Sequence, residues 1–126
     1  MEKFIENPYL SLYCQDDILF VEYRPEIEIN ISMAKEIMDY IEEYCANRNF
    51  LIFEDMSNIK WIDKKSRDYF GQHPINKKMK AWAYFSDQPI HKIMYTIYKT
   101  FSNPQGNSEF FSNKEEAIKW LSDFRN

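Results

Sequence analysis

The chain has 126 residues, 44% hydrophobic and 29% charged, enough for one packed domain over residues 1–126 and too apolar for intrinsic disorder. Its net charge of -4 and pI of about 5.2 oppose the phosphate attraction on which DNA and RNA binding rest, so no nucleic-acid partner is expected. Apolar runs are too short to cross a membrane, and Met1 to Asn7 lacks the basic start and apolar core of a signal peptide, so the expectation is a cytoplasmic protein without an integral membrane segment.

In chain order, Tyr9 to Cys14 and Ile18 to Tyr23 read as two strands around a Gln15-Asp16-Asp17 turn, an antiparallel hairpin. Pro25 interrupts pairing, and Glu26 to Ile31 alternates polar residues with isoleucine, which predicts an extended edge segment whose apolar row could pair with a second copy. From Ser32, read as an N-cap, Met33, Ile37, Ile41 and Tyr44 recur at helical spacing to about Ala46. Phe50-Leu51-Ile52-Phe53-Glu54 follows, apolar on both faces until it meets two acids, and reads as a buried central strand. Met56 to Ile62 reads as a loop holding Trp61, and Asp63 caps a short helix that Gly71 can end.

Met79 to Phe85 is a second nearly continuous apolar strand, expected beside the first. Ser86-Asp87 and Pro89 open a helix on which Ile90, Ile93, Met94, Ile97, Tyr98 and Phe101 share one face, read as a core stripe. Asn103 to Asn107 is a loop, Glu109-Phe110-Phe111 a short strand, and Ser112 to Glu115 a capping box before an amphipathic helix carrying Ala117, Ile118, Leu121 and Phe124. Strands alternating with helices after a first hairpin imply a mixed α/β sheet, parallel after the hairpin, with right-handed crossovers.

Recognisable reaction chemistry is sparse. Two glycines, Gly71 and Gly106, cannot build a phosphate-cradling loop, and no cofactor is implied. His73 and His91 lack metal-ligand spacing and read as exposed, while Cys14 and Cys45 read as reduced, buried thiols. Glu54 and Asp55 are neighbours on a strand, so they face opposite sides and cannot share a proton; Asp55 reads as a turn acid.

The element order, with Phe50 to Ser57 followed by Ile59 to Ser66, resembles the STAS-like domains of sulfate transporters and anti-sigma factor antagonists. The ending Glu109 to Leu121 is similar to that of SpoIIAA-like proteins, whose fold is akin to the CRAL-TRIO lipid-binding domains. The resemblance implies a SpoIIAA-like fold, a bacterial setting, and a non-enzymatic regulatory or protein-interaction module. In the antagonists an Asp-Ser-Ser-Gly motif carries a phosphorylated serine. Here Asp63 matches the acid, but Lys64 and Lys65 replace the serines and Ser66 stands at the glycine, so the resemblance does not carry the phospho-switch over.

The expected partner surface, for another protein or a second copy as a homodimer, is Asp55, Ser57, Asp63, Lys64, Lys65 and Ser66. The alternative is a carrier or sensor of a small apolar ligand, implied by the lipid-binding relatives, with Trp61, Trp82, Tyr84, Tyr95 and Tyr98 as its pocket. An acid/base enzyme using Glu54, Asp55 or His73 is the third reading.

Overall fold

The structure is a computed structural model that describes residues 4–125; Met1–Lys3, the first part of the stretch read for a signal peptide, and Asn126 lie outside the described residues. The hairpin is β2 (Leu10–Gln15) and β3 (Ile18–Tyr23), paired antiparallel. Its two-residue turn is Asp16-Asp17, both at positive φ (53° and 67°), the geometry whose twist matches the strands and which aspartate tolerates. A strand absent from the sequence reading, β1 (Phe4–Glu6), adds antiparallel to β2 at the sheet edge.

Beyond the hairpin the sheet becomes parallel. Strands β5 (Leu51–Asp55), β7 (Ala81–Phe85) and β8 (Ser108–Phe111) follow β3 to give the order β1-β2-β3-β5-β7-β8, with the two most apolar strands adjacent and interior. Strands of this kind lose the polar/apolar alternation because helices cover both faces. The mixed sheet with an N-terminal antiparallel hairpin is thus as the sequence reads.

Two short segments depart from expectation. Ile27–Ile29 and Ile59–Ile62 form β4 and β6, a separate parallel pair. The second was read as a loop. Ile27 and Ile29 are 8% and 2% exposed and lie in the main core, so they cover the domain itself rather than line an open edge.

The two short strands launch α1 (Ile31–Cys45) and α2 (Lys64–Gln72) side by side. The N-cap of α1 is Asn30, two residues before the expected Ser32, its side chain accepting from the Met33 N–H at 3.0 Å. Asp63 caps α2 as read, accepting from the Ser66 N–H at 2.9 Å, and its own N–H donates to the Ile29 carbonyl.

A four-residue turn α3 (Ile75–Lys78) precedes β7, and α4 (Pro89–Ile97) continues as a π-helical turn over Tyr98–Ser102 that ends on a left-handed Asn103. Gly71 lets that turn approach α2: a Cβ there would lie 2.7 Å from the Ser102 Cβ. The last helix, α5 (Lys114–Ser122), is capped by Asn113 rather than Ser112.

Helices α1, α2 and α4 cover one face of the sheet; α5 covers the other. Strand β7 shows why the layers differ. Its Ala81 and Ala83 face α5, which sits close, whereas Trp82 and Tyr84 fill the thicker layer opposite.

Candidate functional site

On the thicker side, strand alternation turns Glu54 inward with Ile52 while Asp55 ends the strand. Glu54 is only 8% exposed, accepts from the Trp82 indole N–H at 3.3 Å, and has the Tyr23 hydroxyl as a second donor. Burial raises its pKa to about 7 against these two bonds, because desolvation penalises the charged form more than two donors relieve it. Among the described residues, no lysine or arginine pairs with it.

Around this carboxyl lies a cavity of about 40 Å³, lined by α1 (Met38, Ile41), α2 (Arg67, Phe70), the sheet, and α4 with its π turn. The volume is room for about three waters. Trp82, Tyr84, Tyr95 and Tyr98, four residues of the expected apolar pocket, line it together, their rings in contact at centroid distances from 5.3 to 6.3 Å. Trp61 does not: it sits 51% exposed on β6, beneath the Arg67 guanidinium at 5.6 Å. The lining is mostly apolar, and Glu54, Asn76, Tyr23, Tyr84 and Tyr98 bring the polar groups it holds.

The Tyr98 hydroxyl is buried without a well-formed hydrogen bond, and the Tyr84 hydroxyl and Asn76 amide face it closely enough to favour its ionised form against burial. Burial pushes the Tyr23, Tyr84 and Tyr98 hydroxyls far above the ordinary tyrosine range, so all three stay protonated. Asn76 spends its amide N–H groups on the Phe70, Gly71 and His73 carbonyls, closing the end of α2.

The expected partner surface divides. Asp55 accepts from the Ser57 N–H at 2.9 Å and Asp63 caps α2, so both acids hold local backbone. Lys64 and Lys65 are exposed, Lys64 bridging to Asp68 one turn along. Ser66 is fully buried, its hydroxyl 3.5 Å from the Ile29 carbonyl, which removes it from any contact surface.

Helix α4 holds a larger correction. Ile90, Ile93, Ile97 and Phe101 are exposed by 54%, 57%, 40% and 78%, and the buried side is His91, Met94, Tyr95 and Tyr98. His91, read as exposed, is 1% exposed: its ring meets the Ser86 hydroxyl at 2.7 Å and the Ile59 carbonyl at 2.6 Å. A carbonyl only accepts, so Nε2 carries the proton and Nδ1 accepts from Ser86. This Ser–His pair has the hydroxyl–imidazole contact of an activated nucleophile, but with Ser86 also 1% exposed its chemistry is that of a latch tying β7, β6 and α4. Among the described residues no group of three or more His, Cys, Asp or Glu is arranged to hold a metal, and no helix is long and apolar enough to cross a membrane.

A family profile described as a domain of unknown function, DUF7793, matches residues 12–125, nearly the whole chain. The chain belongs to the DUF7793 family. Its fold is SpoIIAA-like: an uncharacterised DUF3478-family protein with that fold from Shewanella loihica PV-4 superposes with a TM-score of 0.63 at 14% identity, over 93% of this chain and 98% of that one. A protein of unknown function from Arthrobacter sp. FB24, at 17% identity over 88% of this chain and 97% of that one, superposes with a TM-score of only 0.34. No curated protein matches the chain. The fold expected of the STAS-like resemblance is therefore present in this DUF7793 domain.

Proposed function

We propose that this DUF7793 domain is a protein-interaction module that docks an acidic, apolar segment of a second protein on the outer face of α4. The observation that carries the reading is the row Ile90, Ile93, Ile97 and Phe101, four large apolar side chains left exposed on one helix and its π turn. Contiguous exposed apolar surface of this kind marks interaction sites, because it weakens solubility unless a partner uses it.

Charge selects the class of partner. Lys92 and Lys99 are the only charged residues between Gln88 and Gln105; both flank the row, and Lys99 also donates to the Ser108 carbonyl and hydroxyl. The row also adjoins the surface expected from sequence. The Gln88 side chain donates to the Ser57 carbonyl, and the Ser102 hydroxyl donates to Asp68 on α2, next to Lys64.

The test is affinity capture with a purified binding protein, using Ile93→Ser with Ile97→Ser against Lys64→Glu with Lys65→Glu. Loss of capture in the first pair at an unchanged melting temperature supports docking on α4, and loss only in the second moves the surface to α2. Sedimentation that shows the wild type dimeric and the first pair monomeric replaces the second protein by a second copy. Binding of wild type to anionic vesicles, abolished by the isoleucine changes, overturns the reading in favour of a lipid surface.

A further inference from the structure

The cavity under α2 and α4 holds a combination that an apolar carrier does not need. One carboxyl is buried without a basic partner, aromatic rings surround it, and the Tyr98 hydroxyl is buried without a well-formed hydrogen bond. An apolar ligand leaves the carboxyl without a counter-charge and the Tyr98 hydroxyl without a well-formed bond, at a cost in binding. A small organic cation supplies the counter-charge and a donor to the tyrosine oxygen. Its N–H groups donate to the carboxylate and to a tyrosine oxygen, and its charge and alkyl body rest against the faces of Trp82, Tyr84 and Tyr95.

We infer that this cavity is a binding site for the head of a small primary amine, its ammonium held by Glu54 and the Tyr98 hydroxyl inside the aromatic wall. Size limits the buried part: about 40 Å³ takes roughly three heavy atoms in place of about three waters. Access is through α2, because Arg67 and Phe70 are the two lining residues that are only half-buried. Arg67 does not repel the guest from within, since its guanidinium is turned to the Ile62 carbonyl at 2.6 Å and the Trp61 ring. The site is separate from the docking face: Met94, Tyr95 and Tyr98 line it from the buried side of α4 and its π turn, and the exposed row takes no part in its lining.

Binding is linked to a proton on Glu54. The groups facing that carboxyl are the Tyr23 hydroxyl from β3, the Trp82 indole from β7, Tyr84 and Tyr98 beyond them, Arg67 across the cavity, and Asp55 on its own strand. None of the tyrosines ionises near neutrality, because burial raises all three. An ammonium displaces the Glu54 proton, so affinity is highest above the carboxyl's value of about 7 and falls about tenfold for each pH unit below it.

The test uses the 15N-labelled full chain and ethylammonium chloride as the probe at pH 8.5 or so, with sodium chloride and ethanol as controls, reading the Trp82 indole N–H resonance. A probe of three heavy atoms reaches a Kd of roughly millimolar. The expected result is a saturable shift of that resonance, weakened at least tenfold in Glu54→Gln and about tenfold at pH 6, with no response to sodium. No saturable shift, equal response to ethanol, or unchanged binding in Glu54→Gln overturns the proposal. Should Glu54→Gln fail to fold, the wild-type pH series and the ethanol control decide alone.

Discussion

The two faces of the sheet are built on different principles. Under α5, Phe20, Phe53, Leu51 and Ile18 pack against Ala117 and Leu121 with no buried polar side chain in the cluster, and the rings of Phe4, Tyr13, Phe20, Phe53 and Phe85 run in contact from strand to strand. Under α1, α2 and α4, the layer is thicker and contains a carboxyl, three tyrosine hydroxyls and a cavity. Apolar packing alone would have closed the second face as it closed the first. A face that keeps a buried acid and a hydroxyl without a well-formed bond gives up stability there, and such sacrifices concentrate where a fold does its work.

The largest effect should come from the dry face. Phe53, 2% exposed between the Phe20 and Phe85 rings, is expected to cost about 4 kcal/mol when changed to Ala, through lost transfer energy and a cavity that rigid neighbours cannot fill. Denaturant unfolding measures it. A loss below about 2 kcal/mol would mean that this face repacks freely, and the contrast between the faces would fail.

On the other face the expected change has the opposite sign. Glu54 has its pKa raised from 4.5 to about 7 in the folded state, so its contribution to stability is fully present below 4.5 and is lost as pH rises through 7. Glu54→Gln should therefore match wild type near pH 4 and exceed it near pH 9 by as much as about 3 kcal/mol. Parallel pH-stability curves for the two proteins would show that Glu54 is not desolvated.

The Ser86–His91 latch predicts a smaller loss. Ser86→Ala leaves the buried Nδ1 without its donor, at a cost of about 2 kcal/mol, and should loosen the start of α4 in hydrogen exchange without altering β5. Protection lost equally from both elements would make the latch an ordinary core contact.

How much of this was legible follows from which signals are local. The interior strands β5 and β7 announce themselves, because burial on both faces removes alternation over five or more residues. Strand β4 shows its alternation but not its partner, and β6 shows neither: four residues of mixed polarity present no period to detect, and the pairing of the two is a long-range fact.

Helix α4 was found but turned the wrong way. At 3.6 residues per turn its apolar stripe is centred roughly a quarter turn from the face that is buried, since His91 and Tyr95 are polar by composition yet sit inside through their hydrogen bonds. Trp61 and Ser66 fail for related reasons. Being a large ring did not place Trp61 inside, and being a hydroxyl in a polar run did not place Ser66 outside; the pairing of β4 with β6 decided both. Four of the five pocket rings were legible because they lie on β7 and α4, whose types were clear. The Glu54 carboxyl among them was legible only as a strand residue facing away from Asp55.

Tyr98→Phe carries the smallest expected effect and the finest test of what the thicker face contains. Removing a hydroxyl that is bonded to a protein group inside a core leaves that partner unsatisfied and costs about 1–3 kcal/mol, whereas removing one that has no partner relieves its desolvation. The Tyr98 hydroxyl has no well-formed hydrogen bond to lose, and its ring contacts with Tyr84 and Tyr95, at 6.0 and 6.3 Å, survive in phenylalanine. The expected outcome is a variant equal to wild type or up to about 1 kcal/mol more stable, measured by urea unfolding at one pH above 8 so that Glu54 is ionised in both. A loss above about 2 kcal/mol would place a direct partner on that oxygen, and the hydroxyl would then hold the fold together rather than stand ready for a guest. The same variant should bind the ethylammonium probe several-fold more weakly, because the oxygen it lacks is the second acceptor of the ammonium. Stability unchanged with binding reduced is the pair of results that separates a recognition group from a packing group, and no substitution on the α5 side should produce it.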